Sequence, residues 1–145
     1  MEYKDTVRDY LERCECNLKT VVQNRGYEFT QLFSNFISCL VVIKGNRKID
    51  EQPIEKHGLN CMYKSNSYEI DYRENTREFI RHLRNACCHY GITIMPKNNE
   101  ISYVIFRDKN KKKCRDTGKI VTEKCEFEMT IKQIEATYNY LLSLI

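Results

Sequence analysis

Glycine and proline are scarce in this chain, five and two among 145 residues, so little in it interrupts a helix. The same scarcity excludes collagen-like and low-complexity compositions. A hydrophobic share of 41% beside 30% charged residues excludes a disordered chain and leaves a globular one. No apolar run approaches the roughly 18–20 residues that a membrane-crossing helix requires. The longest, FISCLVVI at 36–43, suits a buried helix. The opening MEYKDTVRDYLER alternates charges and has no apolar core of the kind that a secretory leader carries. These absences point to a cytoplasmic protein with no membrane partner, and its length suits one domain over 1–145.

What is missing from the cysteine pattern matters as much. The chain has eight cysteines: Cys14-x-Cys16, the adjacent Cys87-Cys88, and single residues at 39, 61, 114 and 125. None shows the two-residue spacing with which one turn clamps a tetrahedral zinc ion, so neither metal nor cofactor is expected. In a reducing compartment free thiols are the default, and several of these fall at apolar helix positions.

Three segments carry strong helical periodicity. Over about 2–24, Tyr3, Val7, Tyr10, Leu11, Cys14, Leu18, Val21 and Val22 form one stripe, stopped at Gly26. Over about 29–44, Leu32, Phe33, Phe36, Ile37, Leu40 and Val41 form a broad apolar face ended by Gly45. A third helix covers about 72–90, closed by Gly91. Between them, 46–71 reads as a long, partly ordered connection with at most a helical turn after Pro53; His57, within it, has no visible partner. After Gly91 the period changes to two. Residues 92–95 and 101–106 read as strands joined by the turn PKNNE, and 125–129 buries Cys125, Phe127 and Met129 against outward Glu126 and Glu128. The lysine-rich stretch before it reads as a loop. Thr130 and Gln133 match a capping box opening a last helix.

Net charge is +4, too modest to indicate nucleic acid, but the basic residues cluster at 73–84 and 107–115, where they could hold a phosphate backbone or simply face solvent. On a wheel of the third helix, Phe79, Ile80, Leu83, Ala86, Cys87 and Tyr90 form an apolar arc. The opposite arc carries Arg73, Arg77, Arg81, His82, Arg84, Asn85 and His89. Arg81, Asn85 and His89 follow one another at i, i+4, and Arg84 flanks the row. Guanidinium suits phosphate through its planar fork, and imidazole suits proton transfer.

The string Arg84-Asn-Ala-Cys-Cys-His89 resembles the signature of the HEPN superfamily, an Arg and a His four to six residues apart with a polar residue after the Arg. Arg77 and His82 have the same spacing, but the second copy also has Asn85 behind the Arg, a helix end after His89 and a strand beyond. FIRHLRNACCHYGITI, a strand pair containing VIFRDKN, and FEMTIKQIEATYNYL resemble a HEPN branch with a small β element before the last helix. The resemblance implies a mainly α fold, a bundle of about four to five helices with a small antiparallel sheet inserted before the C-terminal helix. It implies a metal-independent endoribonuclease of toxin–antitoxin or anti-phage defence, which uses the 2′-hydroxyl to leave 2′,3′-cyclic phosphate and 5′-hydroxyl ends. His89 would transfer the proton, Arg84 bind the scissile phosphate and Asn85 orient the site. Arg77, Arg81, His82, Lys111, Lys112 and Lys113 would help hold RNA. The resemblance also implies a composite site across a homodimer, with which the roughly 140° between Arg84 and His89 on the wheel agrees, and an antitoxin or defence-system protein as a partner. Some toxins of this kind carry a tyrosine two residues after the His, which a nucleotidyltransferase antitoxin modifies; here Tyr90 follows His89 directly and position 91 is glycine. Two other readings use the same residues: a non-catalytic HEPN-like module that binds RNA or protein and dimerises, and an unrelated helical module with a solvated basic face.

Overall fold

The computed structural model describes residues 6–23, 28–43, 47–66, 70–98, 100–113 and 115–145. Four helices and four strands occur among them. The first two helices are α1 (Thr6–Gln23) and α2 (Glu28–Val42). The expected helix start at 2–5 and the stops at Gly26 and Gly45 lie outside the described residues. α2 buries Leu32, Phe36, Cys39 and Leu40, the stripe that its spacing dictates.

The segment expected to be a loose connection is built instead. Ile49, Ile54, Leu59 and Cys61 are buried. A 3-10 turn at Ile54–His57 follows Pro53, and a short strand β1 (Met62–Ser65) comes after it. A second 3-10 turn, Tyr72–Glu74, leads into α3 (Thr76–Cys88). Then follow β2 (Ile92–Lys97), β3 (Glu100–Lys113), β4 (Ile120–Thr130) and α4 (Ile131–Ser143).

The strands form one antiparallel sheet in the order β1-β4-β3-β2. This overturns the mainly α expectation, because among the described residues four strands joined in one sheet stand beside four helices, a mixed α/β fold that is helical only in part. Two local facts hid the strands. β1 is four residues long, and its exposure alternates without a fully buried residue, so it carries almost no apolar signal. The lysine-rich stretch 109–113 is no loop: Lys109 to Lys113 pair with Lys124 to Ile120. β2 ends its pairing at Phe106 and β1 at Cys125, so this part of the hairpin extends beyond its neighbours as a two-stranded arm. Such an arm satisfies its backbone hydrogen bonds within itself and needs no apolar face.

One face of the sheet carries the core. Val104 and Phe106 on β3 and Cys125, Phe127 and Met129 on β4 point inward at the two-residue period. Phe106 meets Phe33 and Phe36 of α2 at 6.1 and 6.0 Å between ring centroids, and Phe127 meets Phe79 of α3 edge-on at 5.2 Å. These rings stack α2 and α3 on the sheet, with α1 and α4 packed on α2. Fully burying one such ring contributes about 1.5–3 kcal/mol.

The capping box is present as expected. The Thr130 hydroxyl accepts from the Gln133 N–H at 3.2 Å, and the Gln133 side chain accepts from the Thr130 N–H at 2.9 Å. Thr130→Ala is expected to lower stability by about 1 kcal/mol, and Thr130→Ser to retain it. Urea denaturation checks this, with a lower midpoint at unchanged slope in the alanine variant only.

Candidate active site

The basic helix α3 is anchored at both ends. At its start the Asn75 side chain accepts from the Glu78 N–H at 3.1 Å, and buried Thr76 donates its N–H and hydroxyl to the Gln52 carbonyl at 2.8 and 2.6 Å. At its end the His89 N–H reaches the Asn85 carbonyl (3.0 Å) and the Gly91 N–H reaches the Ala86 carbonyl (2.8 Å), the latter the 6→1 bond of a Schellman motif. The left-handed position of that motif falls on Tyr90, at φ 59°, with its side chain 98% exposed. Gly91 is occupied with something else. Its carbonyl accepts from the Arg107 N–H at 2.6 Å, and a Cβ there would lie 1.9 Å from the Arg107 carbonyl oxygen. The close approach of α3's end to β3 therefore claims the glycine, and the tyrosine takes the strained torsion.

Three of the four arginines on α3's approach and face are engaged within the chain. Arg73 forms a forked pair with Asp71, its Nη2 2.8 Å from Oδ2, and stands 5.6 Å from the centre of the Tyr63 ring. Arg77 donates to the Ile49 carbonyl through Nε and Nη2 and to Glu51 at 2.7 Å. Arg81 is bound to Glu78 at 2.6 Å. Arg84 is different. Among the described residues its one hydrogen bond donates from Nη2 to Asn85 Oδ1 at 3.1 Å, which leaves the rest of the fork open. His89 caps the helix, is exposed, and its ring has no partner among the described residues.

His82 corrects the wheel. It was expected on the basic surface as a phosphate contact, but it is 2% exposed and lies inside the protein. It stands four residues from Ala86, about 40° away at 100° per residue, on the rim of the apolar arc rather than opposite it. Its ring lies against that of Tyr72, tilted by 37° with 3.9 Å between centroids, and its Nδ1 lies 2.6 Å from Asp108 Oδ2. Arg81 Nη2 lies 3.2 Å from the other ring nitrogen. A guanidinium only donates, so Nε2 accepts from Arg81 and Nδ1 carries the hydrogen given to Asp108.

Asp108 is the residue that sequence reasoning missed. It sits on β3 two residues beyond Phe106, hence on the same inward face, and is 5% exposed. A buried carboxylate must be hydrogen-bonded, and the same oxygen also accepts from Asn85 Nδ2 at 3.1 Å. The signal was present: the alternation Val104, Phe106 continues to 108, placing one acid on an apolar row. Ending the strand at 106 concealed it. The result is a continuous array from Glu78 through Arg81, His82, Asp108 and Asn85 to Arg84. Burial pushes the Asp108 carboxyl up, but the hydrogen bonds from His82 and Asn85 and the nearby Arg81 charge outweigh it and hold the group below the ordinary carboxylate range. A depressed carboxyl stabilises the fold above its unfolded value, about 3.9, and loses that contribution as pH falls through the folded value. Thermal melts are therefore expected to show a melting temperature that falls below about pH 4, with a shallower fall in Asp108→Asn. A gap between the two proteins that does not vary with pH contradicts this.

Of the lysines expected to hold RNA, Lys111 and Lys113 are exposed on the arm, while Lys112 is described only in its backbone. The base of the arm is braced by Asn66, whose amide donates to the Thr122 carbonyl at 2.9 Å and accepts from the Lys124 N–H at 2.8 Å. The buried thiols of Cys39, Cys61 and Cys125 and the partly buried thiol of Cys87 are pushed up to about 12, first by burial, so they pack as small apolar groups. Among the described residues no helix is long and apolar enough to cross a membrane, and no group of three or more His, Cys, Asp or Glu is placed to hold a metal ion.

A family model described as HEPN pEK499 p136 matches residues 1–145. No curated protein and no solved structure matches the chain.

Proposed function

The chain belongs to the HEPN pEK499 p136 family, and from that membership we propose that it is a metal-independent endoribonuclease of a toxin–antitoxin or anti-phage defence system. The observation that carries this reading is the contrast along α3. Arg73, Arg77 and Arg81 are tied to carboxylates, whereas among the described residues Arg84 keeps most of its fork free and His89 presents an unpartnered ring at the helix end. One phosphate-binding group and one proton-transfer group are thus available together, with Asn85 held between them in sequence.

In this reading His89 takes the proton of an RNA 2′-hydroxyl. The freed oxygen attacks the adjacent phosphorus, forming the P–O2′ bond while the P–O5′ bond breaks. The departing 5′-oxygen receives a proton from the same histidine of a second copy. Arg84 donates to the non-bridging oxygens as their charge grows. The products are a 2′,3′-cyclic phosphate and a 5′-hydroxyl. A homodimer supplies the second histidine, and the arm carrying Lys111, Lys112 and Lys113 adds sequence-blind attraction for the RNA backbone.

The test is incubation of mixed RNAs with the folded protein in EDTA, followed by mapping of the ends. Cleavage that leaves cyclic phosphate and 5′-hydroxyl supports the reading. RNA bound but left intact supports instead the non-catalytic module that binds RNA.

A further inference from the structure

Arg84 is a long, partly buried side chain, and holding it in one geometry costs rotamer entropy that a fixed partner must offset. We propose that Asp108, on a different element from the motif, is the positioning residue for Arg84, acting through the amide of Asn85. The proposal rests on the ribonuclease reading of the site and adds to it the residue that aims the guanidinium.

The chain of cause runs through the asymmetry of an amide. Asn85 can turn either its carbonyl oxygen or its NH2 toward a neighbour. Asp108 offers only acceptors, so the Asn85 NH2 faces Asp108 Oδ2 at 3.1 Å, and the Asn85 oxygen necessarily faces the other way. There it meets Arg84 Nη2 at 3.1 Å. With the amide reversed, donors of Asn85 and Arg84 would confront each other, and Arg84 would be released.

Asp108 is itself firmly set. It lies in the inward row of β3, where its strand pairs with Cys125 of β4, two residues beyond the last position paired on both sides. The carboxylate oxygen that holds Asn85 also accepts from His82 Nδ1 at 2.6 Å, and the far nitrogen of that ring is occupied by Arg81 at 3.2 Å. His82 and Asn85 are three residues apart on α3, so both face the same strand. The sheet between the motif helix and the last helix thus supplies the reference point from which Arg84 is aimed. A merely structural Asp108 would hold α3 to β3 and leave Arg84 indifferent.

The experiment compares full-length wild type with Asp108→Ala, Asp108→Asn, Asn85→Ala and the Asp108→Ala/Asn85→Ala pair, reading RNA cleavage kinetics and the NMR order parameter of the Arg84 side chain. Asp108→Asn keeps a carbonyl oxygen where Oδ2 stands. Asp108→Ala is expected to lower kcat on the order of 10- to 100-fold with KM little changed, and to loosen Arg84, while Asp108→Asn restores most of both. In the Asn85→Ala background the Asp108→Ala change is expected to have no further effect on either readout. Arg84 as ordered as in wild type in folded Asp108→Ala overturns the proposal, as does an undiminished Asp108 effect after Asn85 is removed. If Asp108→Ala does not fold, Asn85→Ala cuts the same link at its other end, and an Arg84 that stays rigid there overturns it equally. If wild type cuts no RNA, the ribonuclease reading falls on its own, and the Arg84 order parameter still decides the link.

Discussion

Replacing Arg84 or His89 by alanine is expected to cut kcat/KM for RNA cleavage roughly 10²- to 10⁴-fold, with each variant folding normally. The size follows from what each group does. His89 moves a proton in the transition state, and Arg84 stabilises charge that appears on phosphate oxygens only as the reaction proceeds. Neither substitution touches the core: His89 is exposed without a partner among the described residues, and Arg84 has one hydrogen bond, to its neighbour Asn85. Thermal melting should therefore move little while activity collapses. Arg84→Lys is expected to fail nearly as badly, because an ammonium cannot supply two parallel donors to one phosphate. Arg77→Ala is the contrast. Its guanidinium is spent on the Ile49 carbonyl and Glu51, so stability rather than catalysis should suffer. Equal loss of activity in Arg77→Ala and Arg84→Ala would count against a site centred on Arg84.

The second large effect concerns stability. Gly91→Ala places a Cβ 1.9 Å from the Arg107 carbonyl oxygen, a contact with backbone that no rotamer can relieve. Either the end of α3 or strand β3 must move, and the 2.6 Å bond between the Arg107 N–H and the Gly91 carbonyl is strained with it. A loss of about 3 kcal/mol or more is expected, against a total of about 5–15 for an ordinary domain, with a fall in melting temperature of about 10 °C. Tyr90→Gly should act in the opposite direction. Tyr90 holds φ 59° with its ring in solvent, so glycine there removes torsional strain of about 1–2 kcal/mol, offset in part by the greater freedom of the unfolded chain. Scanning calorimetry of the two single variants settles both signs. A Gly91→Ala protein as stable as wild type would show that the turn relaxes freely.

These two residues also show where reading the sequence works. A glycine after a basic helix is a stop signal, and the helix does stop there. A glycine in that place commonly takes the left-handed torsion; the packed protein gives that torsion to Tyr90 and uses Gly91 for close approach to β3. Local rules see which residues tolerate a conformation, but not which backbone will lie against them.

The amino-acid sequence by itself determined the periods: the stripe of α2, the part of α3's apolar arc from Phe79 to Ala86 (Tyr90, called with it, is exposed), the alternation of Cys125, Phe127 and Met129, and the Thr130 capping box. Each arises between residues a few positions apart, where the order of side chains is the whole cause. It also carried the family resemblance, which the match over 1–145 bears out. Tertiary structure alone decided the share of sheet, since β1 is a strand only because β4 lies beside it and the lysine arm only because its two halves pair. It decided which arginines are consumed, because Glu51 and the Ile49 carbonyl reach Arg77 from a segment more than twenty residues away. Above all it brought Asp108 of β3 against His82 and Asn85 of α3. A buried carboxylate and its donors are matched across space by the cost of leaving either unpaired, and nothing in the spacing of one segment records the partner on the other.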